Sequence, residues 1–401
     1  MERRSTVLGM TNPPDTTETQ DPTSANVFTL LKGDAAVCLT TVPDESVHAV
    51  ITDPPYGLSS SLDLAEMLQS WLNGETFVND VNGYAGAEWD NAVPGPELWR
   101  HAYRTLVPGG YVLAFAAART VHLTAVSLQL AGFEVRDLIH WVYAPGRQAT
   151  PDLGRAARRS GDDDATVERL SGLRATLRPG HEPIVVARKP FGEGVTSVDN
   201  FLDFGVGVVS HDAITGQRGG VASNVWAVHD LDCTRGACCC HLNDFESTCH
   251  ATRIYPSDRL GGGALSVAKP TKAERPMSPD GTRHETVKPL ELMRRLVEAV
   301  TRPGQVVLDP FLGSGTTAEA ALSCGRRAIG CELEPRYWPL IEARIKRVEP
   351  ANESLTSRCV GVRSPSEQPP CASAVGPHHQ VSRANPDEPT NQQTLPKEEA
   401  Q

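Results

Sequence analysis

Hydrophobic and polar positions fall into two well-patterned blocks with a poorly patterned stretch between them. In the first block, 26–144, Val47–Thr52 is a β-rich apolar run. It ends at Asp53-Pro54-Pro55, which cannot continue a strand. Residues 98–106 carry apolar side chains at helical spacing and stop at Val107-Pro108-Gly109-Gly110. Residues 111–116 read as a buried strand, Val121–Leu130 as a helix stopped by Gly132, and 134–143 as another strand. In the second block, 284–348, Leu290–Val300 is a helix with Pro289 near its start and Pro303-Gly304 beyond its end. A strand at 305–308, a helix at 316–323, a strand at 328–331 and a helix at 335–347 follow. Strands alternating with helices predict an α/β fold with a mainly parallel sheet.

The stretch 145–283 is rich in Gly, Arg and Asp, and only 183–187 reads as a strand. An irregular segment of that length inside a compact domain is a functional region or an insert. The segments 1–25 and 349–401 are polar and aperiodic, and are expected to be disordered tails.

A chain of 401 residues with 39% apolar and 22% charged residues has ample material for a core. It has no apolar run of about 18 residues, so no membrane span is expected. The N-terminus lacks the apolar segment of a secretory signal, which points to a cytoplasmic protein with reduced cysteines. The formal net charge is −11. Two stretches run against it: 146–190 hold nine basic and six acidic side chains, 253–302 ten and six. Both, with Arg155, Arg158 and Arg159 among them, are candidate nucleic-acid phosphate contacts or ordinary solvated surface.

Two motifs carry chemistry. Asp309-Pro-Phe-Leu-Gly-Ser-Gly-Thr-Thr317 follows a strand and opens a helix, and Glu332 ends the next strand. Gly313 and Gly315 permit a tight turn that a ligand can approach, and an acid at Glu332 suits ribose hydroxyls. Alone, the pattern fits either nucleoside binding or a plain connection. No lysine follows Gly315, which argues against a triphosphate cradle. The second motif, Asp53-Pro54-Pro55-Tyr56, leaves a strand's carboxyl end, where open α/β sheets bind ligands. A carboxylate, a fixed carbonyl and an aromatic face could hold a planar base through its amino group. The alternative is a Pro-rich turn with a solvent Asp and a core Tyr.

Taken together, the chain resembles the S-adenosylmethionine-dependent amino-group DNA methyltransferases. Asp53, Pro54, Pro55 and Tyr56 resemble their catalytic motif, and Asp309, Phe311, Gly313, Gly315 and Thr316 lie in a stretch similar to their methionine-pocket motif. Glu332 resembles the acid that holds the cofactor's ribose. His284-Glu-Thr-Val-Lys288-Pro289 resembles the segment before the cofactor strand, and Lys32-Gly33-Asp34 an element beside the adenosyl group. His181-Glu182-Pro183 resembles a late sheet motif. The catalytic motif precedes the cofactor motif, as in the family's beta class. The resemblance implies a circularly permuted, Rossmann-like sheet of seven mostly parallel strands, one of them antiparallel. It further implies a catalytic half at 26–144, a target-recognition insert at 145–283 and a cofactor-binding half at 284–348.

By the same resemblance the chain takes a methyl group from S-adenosylmethionine to the amine of a flipped base in double-stranded DNA. Asp at position 53, rather than Ser, favours adenine N6 over cytosine N4. An RNA or protein-amide methyltransferase would be expected to carry the cofactor motif first. A non-catalytic DNA-binding module would not need Asp53, Tyr56, Gly313, Gly315 and Glu332 all intact. No nuclease-like constellation is evident, so a stand-alone modification enzyme is expected. One feature lies outside the resemblance. Cys233, Cys238, Cys239, Cys240, His241, Cys249 and His250 crowd 18 residues of the middle segment. They could hold a zinc ion, though the spacing is not a clean pair of Cys-x-x-Cys units, or remain unliganded thiols. Cys38, Cys324 and Cys331 lie in apolar elements and read as small core residues.

Overall fold

The computed structural model describes residues 27–58, 62–77, 79, 90–142, 151–177, 180–215, 225–227 and 286–348, with 270, 275, 277, 281, 283 and 284. The expected tails and the 233–250 cysteine cluster lie outside the described residues.

Eight strands form one sheet: β1 (Phe28–Lys32), β2 (Val47–Thr52), β3 (Leu106–Phe115), β4 (Glu134–Val142), β5 (His181–Arg188), β6 (Val225–Ala227), β7 (Val306–Asp309) and β8 (Arg327–Glu332). Their order is β1-β8-β7-β2-β3-β5-β4-β6. Strand β5 is antiparallel to both its neighbours, and every other pairing is parallel. Seven strands make the expected sheet, and the three-residue β6 extends it at one edge.

The central strands β2, β3 and β7 are largely apolar and buried because both faces of the sheet are covered there. Along β3, Tyr111, Leu113 and Phe115 join one core while Val112 and Ala114 join the other. The first face packs on α9 (Leu290–Val300), α10 (Thr316–Ser323) and α11 (Trp338–Ile345). The second packs on α1 (Ala35–Leu39), α3 (Pro96–Thr105) and α4 (Val121–Leu130). A small third cluster seats Met67 and Trp71 of α2 (Leu64–Leu72) against Leu123. Cys38 and Cys331 are buried core residues as expected, and Cys324 is half-buried.

Two local readings change. The strand expected at 111–116 begins earlier, at Leu106, and runs through Pro108-Gly109-Gly110. The backbone there is held by Gly109 N–H donating to the Lys189 carbonyl and Lys189 N–H donating to the Gly110 carbonyl. Gly109 sits at φ +80°, and the β2–β3 register shifts between Val47 and Ala49, so a bulge absorbs what reads locally as a stop. The middle segment also holds more order than its pattern predicts: α5 (Leu153–Ser160), α6 (Asp164–Leu170), α7 (Ser197–Phe204) and α8 (His211–Thr215). Asp152, Asp163 and Thr196 cap the first three through their side chains. These helices are short and rich in charge, so no long apolar period announces them. Among the described residues, no helix is long and apolar enough to cross a membrane.

The crossovers set where a ligand can sit. From β7 the chain passes through α10 to β8 on one side. From β2 it passes through α2 and α3 to β3 on the other. Adjacent β7 and β2 are therefore the switch point, and a crevice opens beyond their carboxyl ends.

Candidate active site

Both sequence motifs emerge into that crevice. Asp53-Pro54-Pro55 leaves β2, and Asp309-Pro310-Phe311 leaves β7. A cavity of about 310 Å³ lies between them. Asp34, Asp53, Pro55, His284 and Lys288 line it, with Asp309, Phe311, Gly313, Thr316 and Glu332 completing the wall. Pro54 is buried below, and Tyr56 and Gly315 are not part of the lining.

The cofactor-side wall is built mainly by backbone. Gly313 takes φ +55° and Gly315 φ +82°, conformations that suit glycine. A side-chain carbon at Gly313 would come 2.9 Å from Nε2 of His284. His284 is itself held by Nδ1 facing the Thr286 carbonyl at 2.9 Å and by its ring against Tyr337, 4.5 Å between centroids. Gly315 instead caps the start of α10. Gly330 leaves room behind the turn for Leu312.

Glu332 ends β8 facing the turn. Its Oε2 accepts the Gly313 N–H at 2.7 Å and its Oε1 the Glu334 N–H at 2.8 Å. Burial pushes its carboxyl up to about 7, against those two hydrogen bonds. Asp309 is deeper and 3% exposed. Burial raises its carboxyl to about 6, opposed by hydrogen bonds from Thr317, Thr52 and the Phe311 N–H. Asp34 lines the cavity while its Oδ1 caps α1, accepting the N–H of Ala36 and of Val37.

These residues fit a nucleoside bearing a short polar tail. Each Glu332 oxygen keeps a second lone pair, enough for one ribose hydroxyl apiece. The turn at Gly313 leaves space that a side chain would fill. Phe311 and Leu333 add apolar surface for a base.

The catalytic motif is joined by residues from three other segments. Tyr56 donates its hydroxyl to Oδ1 of Asp53 at 2.7 Å and lies 3.3 Å from Oε2 of Glu182. The Lys288 ammonium donates to Oδ2 of Asp53 and lies 3.4 Å from Glu182. It also stands 4.8 Å from the centre of the Phe115 ring. Burial works against the Lys288 charge, but the Asp53 and Glu182 carboxylates outweigh it and the ammonium is held above its ordinary range. Burial, reinforced by the same two carboxylates, pushes the Tyr56 hydroxyl well up, so it stays a donor. Behind the loop, Oδ1 of Asp90 accepts the N–H of Tyr56 at 2.7 Å and of Gly57 at 3.0 Å.

Sequence reasoning placed Lys288 with the cofactor segment. It does line the cavity, but its charge is spent on Asp53. Glu182 lay in a recognised motif with no role attached, and nothing local singles out Asp90. Among the described residues, no group of three or more His, Cys, Asp or Glu side chains is placed to hold a metal ion.

The family model described as DNA methylase, of the N6/N4 type, matches residues 47–343. The type II methyltransferase M.HindIII of Haemophilus influenzae strain Rd is 28% identical over 307 residues, covering 72% of this chain and 85% of its own. A solved structure of TTHA0409, described as a DNA modification methylase of Thermus thermophilus, contains S-adenosyl-L-methionine. It aligns over 80% of this chain and 95% of its own, at 22% identity and a TM-score of 0.42. The cytosine-N4-specific PvuII DNA methyltransferase aligns over 82% and 93%, at 12% identity and a TM-score of 0.45. With the family model spanning both motifs and the cavity they enclose, the chain belongs to the N6/N4 DNA methylases and is an S-adenosylmethionine-dependent amino-group DNA methyltransferase.

Proposed function

We propose that this enzyme methylates the N6 amine of adenine at a specific sequence in double-stranded DNA. One observation carries the reading: Asp53, the turn at Gly313 and Glu332 open onto a single cavity at the switch point of the sheet. S-adenosylmethionine, bound there, supplies the methyl electrophile. In this reading Glu332 takes the ribose hydroxyls, Asp34 lies beside the adenosyl group, and Asp309, Phe311, Gly313, Thr316 and His284 surround the remainder. The order of the motifs along the chain supports a beta-class arrangement, with specificity supplied from 145–283.

An exocyclic amine is a poor nucleophile because its lone pair is delocalised into the ring. Asp53 accepts one N–H of the target amine and the Pro54 carbonyl accepts the other, with Pro55 fixing the backbone between them. The nitrogen then turns toward tetrahedral geometry, its lone pair aimed along the line of attack. Positive charge grows on that nitrogen as the methyl group parts from sulfur, Asp53 is a carboxylate already aimed at it, and the surplus N–H proton is then released to solvent. A paired base cannot reach Asp53, so it is flipped out of the duplex. The partly exposed Tyr56 ring offers a stacking face, worth about 1–3 kcal/mol per base. Arg155, Arg158 and Arg159, exposed on α5, supply cations for phosphates. Aspartate rather than serine at position 53 supports adenine over cytosine.

The test is to methylate unmodified DNA in vitro, digest it to nucleosides and identify the modified one by mass. N6-methyldeoxyadenosine is expected. N4-methyldeoxycytidine as the sole product overturns the base assignment, and no methylated nucleoside overturns the function.

A further inference from the structure

The acceptor that this reaction needs is already engaged on both sides. Oδ1 of Asp53 holds the Tyr56 hydroxyl at 2.7 Å, and Oδ2 holds the Lys288 ammonium. A target amine must therefore share the remaining lone pairs of Asp53 with these two donors or displace one of them. Neither can simply be abandoned. The Lys288 side chain is 10% exposed, and a buried cation stripped of its partner is strongly destabilising. The Tyr56 hydroxyl needs an acceptor for the same reason.

A second anion stands within reach of both donors. Oε2 of Glu182 is 3.4 Å from the Lys288 nitrogen and 3.3 Å from the Tyr56 oxygen. Those distances are long beside the 2.7 Å that Tyr56 makes to Asp53, so Glu182 is the less used partner. It comes from the start of β5, the antiparallel strand paired to β3, and does not line the cavity. Of the two carboxylates, Asp53 is the one that faces the cavity.

Resting on the methyltransferase reading of Asp53, we propose that Glu182 is a positioning residue for the transfer, taking over the Lys288 ammonium and the Tyr56 hydroxyl as the target amine takes Asp53. The exchange moves no proton and breaks no covalent bond. It keeps every buried charge paired while the acceptor changes hands. With a neutral side chain at 182, Lys288 stays on Asp53 and competes with the substrate. With Lys288 removed, Glu182 has no cation to receive and its charge loses its purpose.

That dependence of one residue on the other is the test. Single-turnover methyl transfer is measured on DNA carrying the mapped site, for the full chain, Glu182→Gln, Lys288→Met and the double variant. Rates are taken per site that binds S-adenosylmethionine, counted by calorimetry, with DNA affinity measured alongside. Glu182→Gln is expected to slow transfer roughly 10–100-fold, a coupling of the size found within one side-chain network, with both affinities unchanged. Glu182→Asp, which keeps the charge, is expected to recover part of the rate. In the Lys288→Met background the Gln substitution is expected to cost nothing further. A parental rate in Glu182→Gln, or the same loss in both backgrounds, overturns the proposal. Asp53→Ala run beside them separates the two readings. Full activity there removes the acceptor itself, whereas an inert Asp53→Ala with an indifferent Glu182→Gln removes only the part given to Glu182.

Discussion

Thr52 donates its hydroxyl to Oδ1 of Asp309 across 2.6 Å, joining residues 257 positions apart. Both are buried, Thr52 at the end of β2 and Asp309 at the end of β7. The bond ties the residue before the catalytic motif to the first residue of the cofactor motif, at the switch point itself. Thr52→Val removes one of the donors that offset the burial of Asp309, so its carboxyl rises further above about 6. Oδ1 keeps the Phe311 N–H, so the loss is that of one hydrogen bond to a charged group, about 1.5–3 kcal/mol. At roughly 2–4 °C per kcal/mol for a domain of this size, thermal melting checks the loss.

Asp53→Ala is expected to abolish turnover and spare cofactor binding. Removing a charge aimed at a transition state costs about 10²–10³ in rate. Glu182 remains to pair Lys288, so the chain still folds. Calorimetric titration with S-adenosylmethionine beside a labelled-methyl assay reads both. Near-normal turnover would show that Asp53 is not the acceptor.

Cofactor affinity is expected to depend on pH through Glu332. Its carboxyl is raised from an ordinary 4.5 to about 7, so the folded chain binds this proton more tightly than the unfolded one. Stability from this group is therefore present at low pH and falls as pH rises through that window. Asp309, raised to about 6, acts in the same direction. Ribose hydroxyls donate to the ionised Glu332, so binding below pH 7 must expel its proton. Affinity should strengthen as pH rises toward about 7, with proton release on binding below that pH and none well above it. Calorimetry in buffers of different ionisation enthalpy measures the release. Glu332→Gln should lose that component and bind more weakly, and an unchanged release would clear Glu332 of the role.

Gly313→Val should fail to bind cofactor, while Gly315→Ala should be destabilised yet still bind. Both glycines have positive φ, which costs a side-chain-bearing residue about 1–3 kcal/mol. Only at Gly313 does the new carbon also press on the His284 ring, at 2.9 Å, inside the cavity wall. At Gly315 the nearest atoms are 3.5 Å away, an ordinary contact. Melting temperature and calorimetric affinity, measured for both, separate strain from obstruction.

Asp90→Ala should lower both stability and turnover without touching substrate. Its Oδ1 holds the N–H groups of Tyr56 and Gly57, and each buried donor left unpaired costs about 1–3 kcal/mol. The loop carrying Asp53 then loses its anchor. A normal rate per folded molecule would mean the loop is held by its prolines alone.

Much of this was legible in the residues themselves. Val47–Thr52, Val121–Leu130 and Leu290–Val300 read from their periods as the strand and helices that the fold contains. Asp53-Pro54-Pro55-Tyr56 and the turn at Gly313 also read directly, because prolines and glycines fix a backbone within a few residues. The helices α5 to α7 did not, since their polar caps and short spans leave no sustained apolar period. Pro108-Gly109-Gly110 misled for a related reason: a local stop signal became a bulge once Lys189, far along the chain, supplied both hydrogen bonds. Above all, the meeting of Lys288 with Asp53, of Glu182 with Tyr56, and of Asp90 with Tyr56, was beyond any local pattern. Those contacts span 235, 126 and 34 positions in the chain. Sequence neighbours determine backbone geometry because the forces that set φ and ψ act over a few bonds. Which charge faces which is decided by the order of strands in the sheet, and that order exists only once the two cores have closed on its faces.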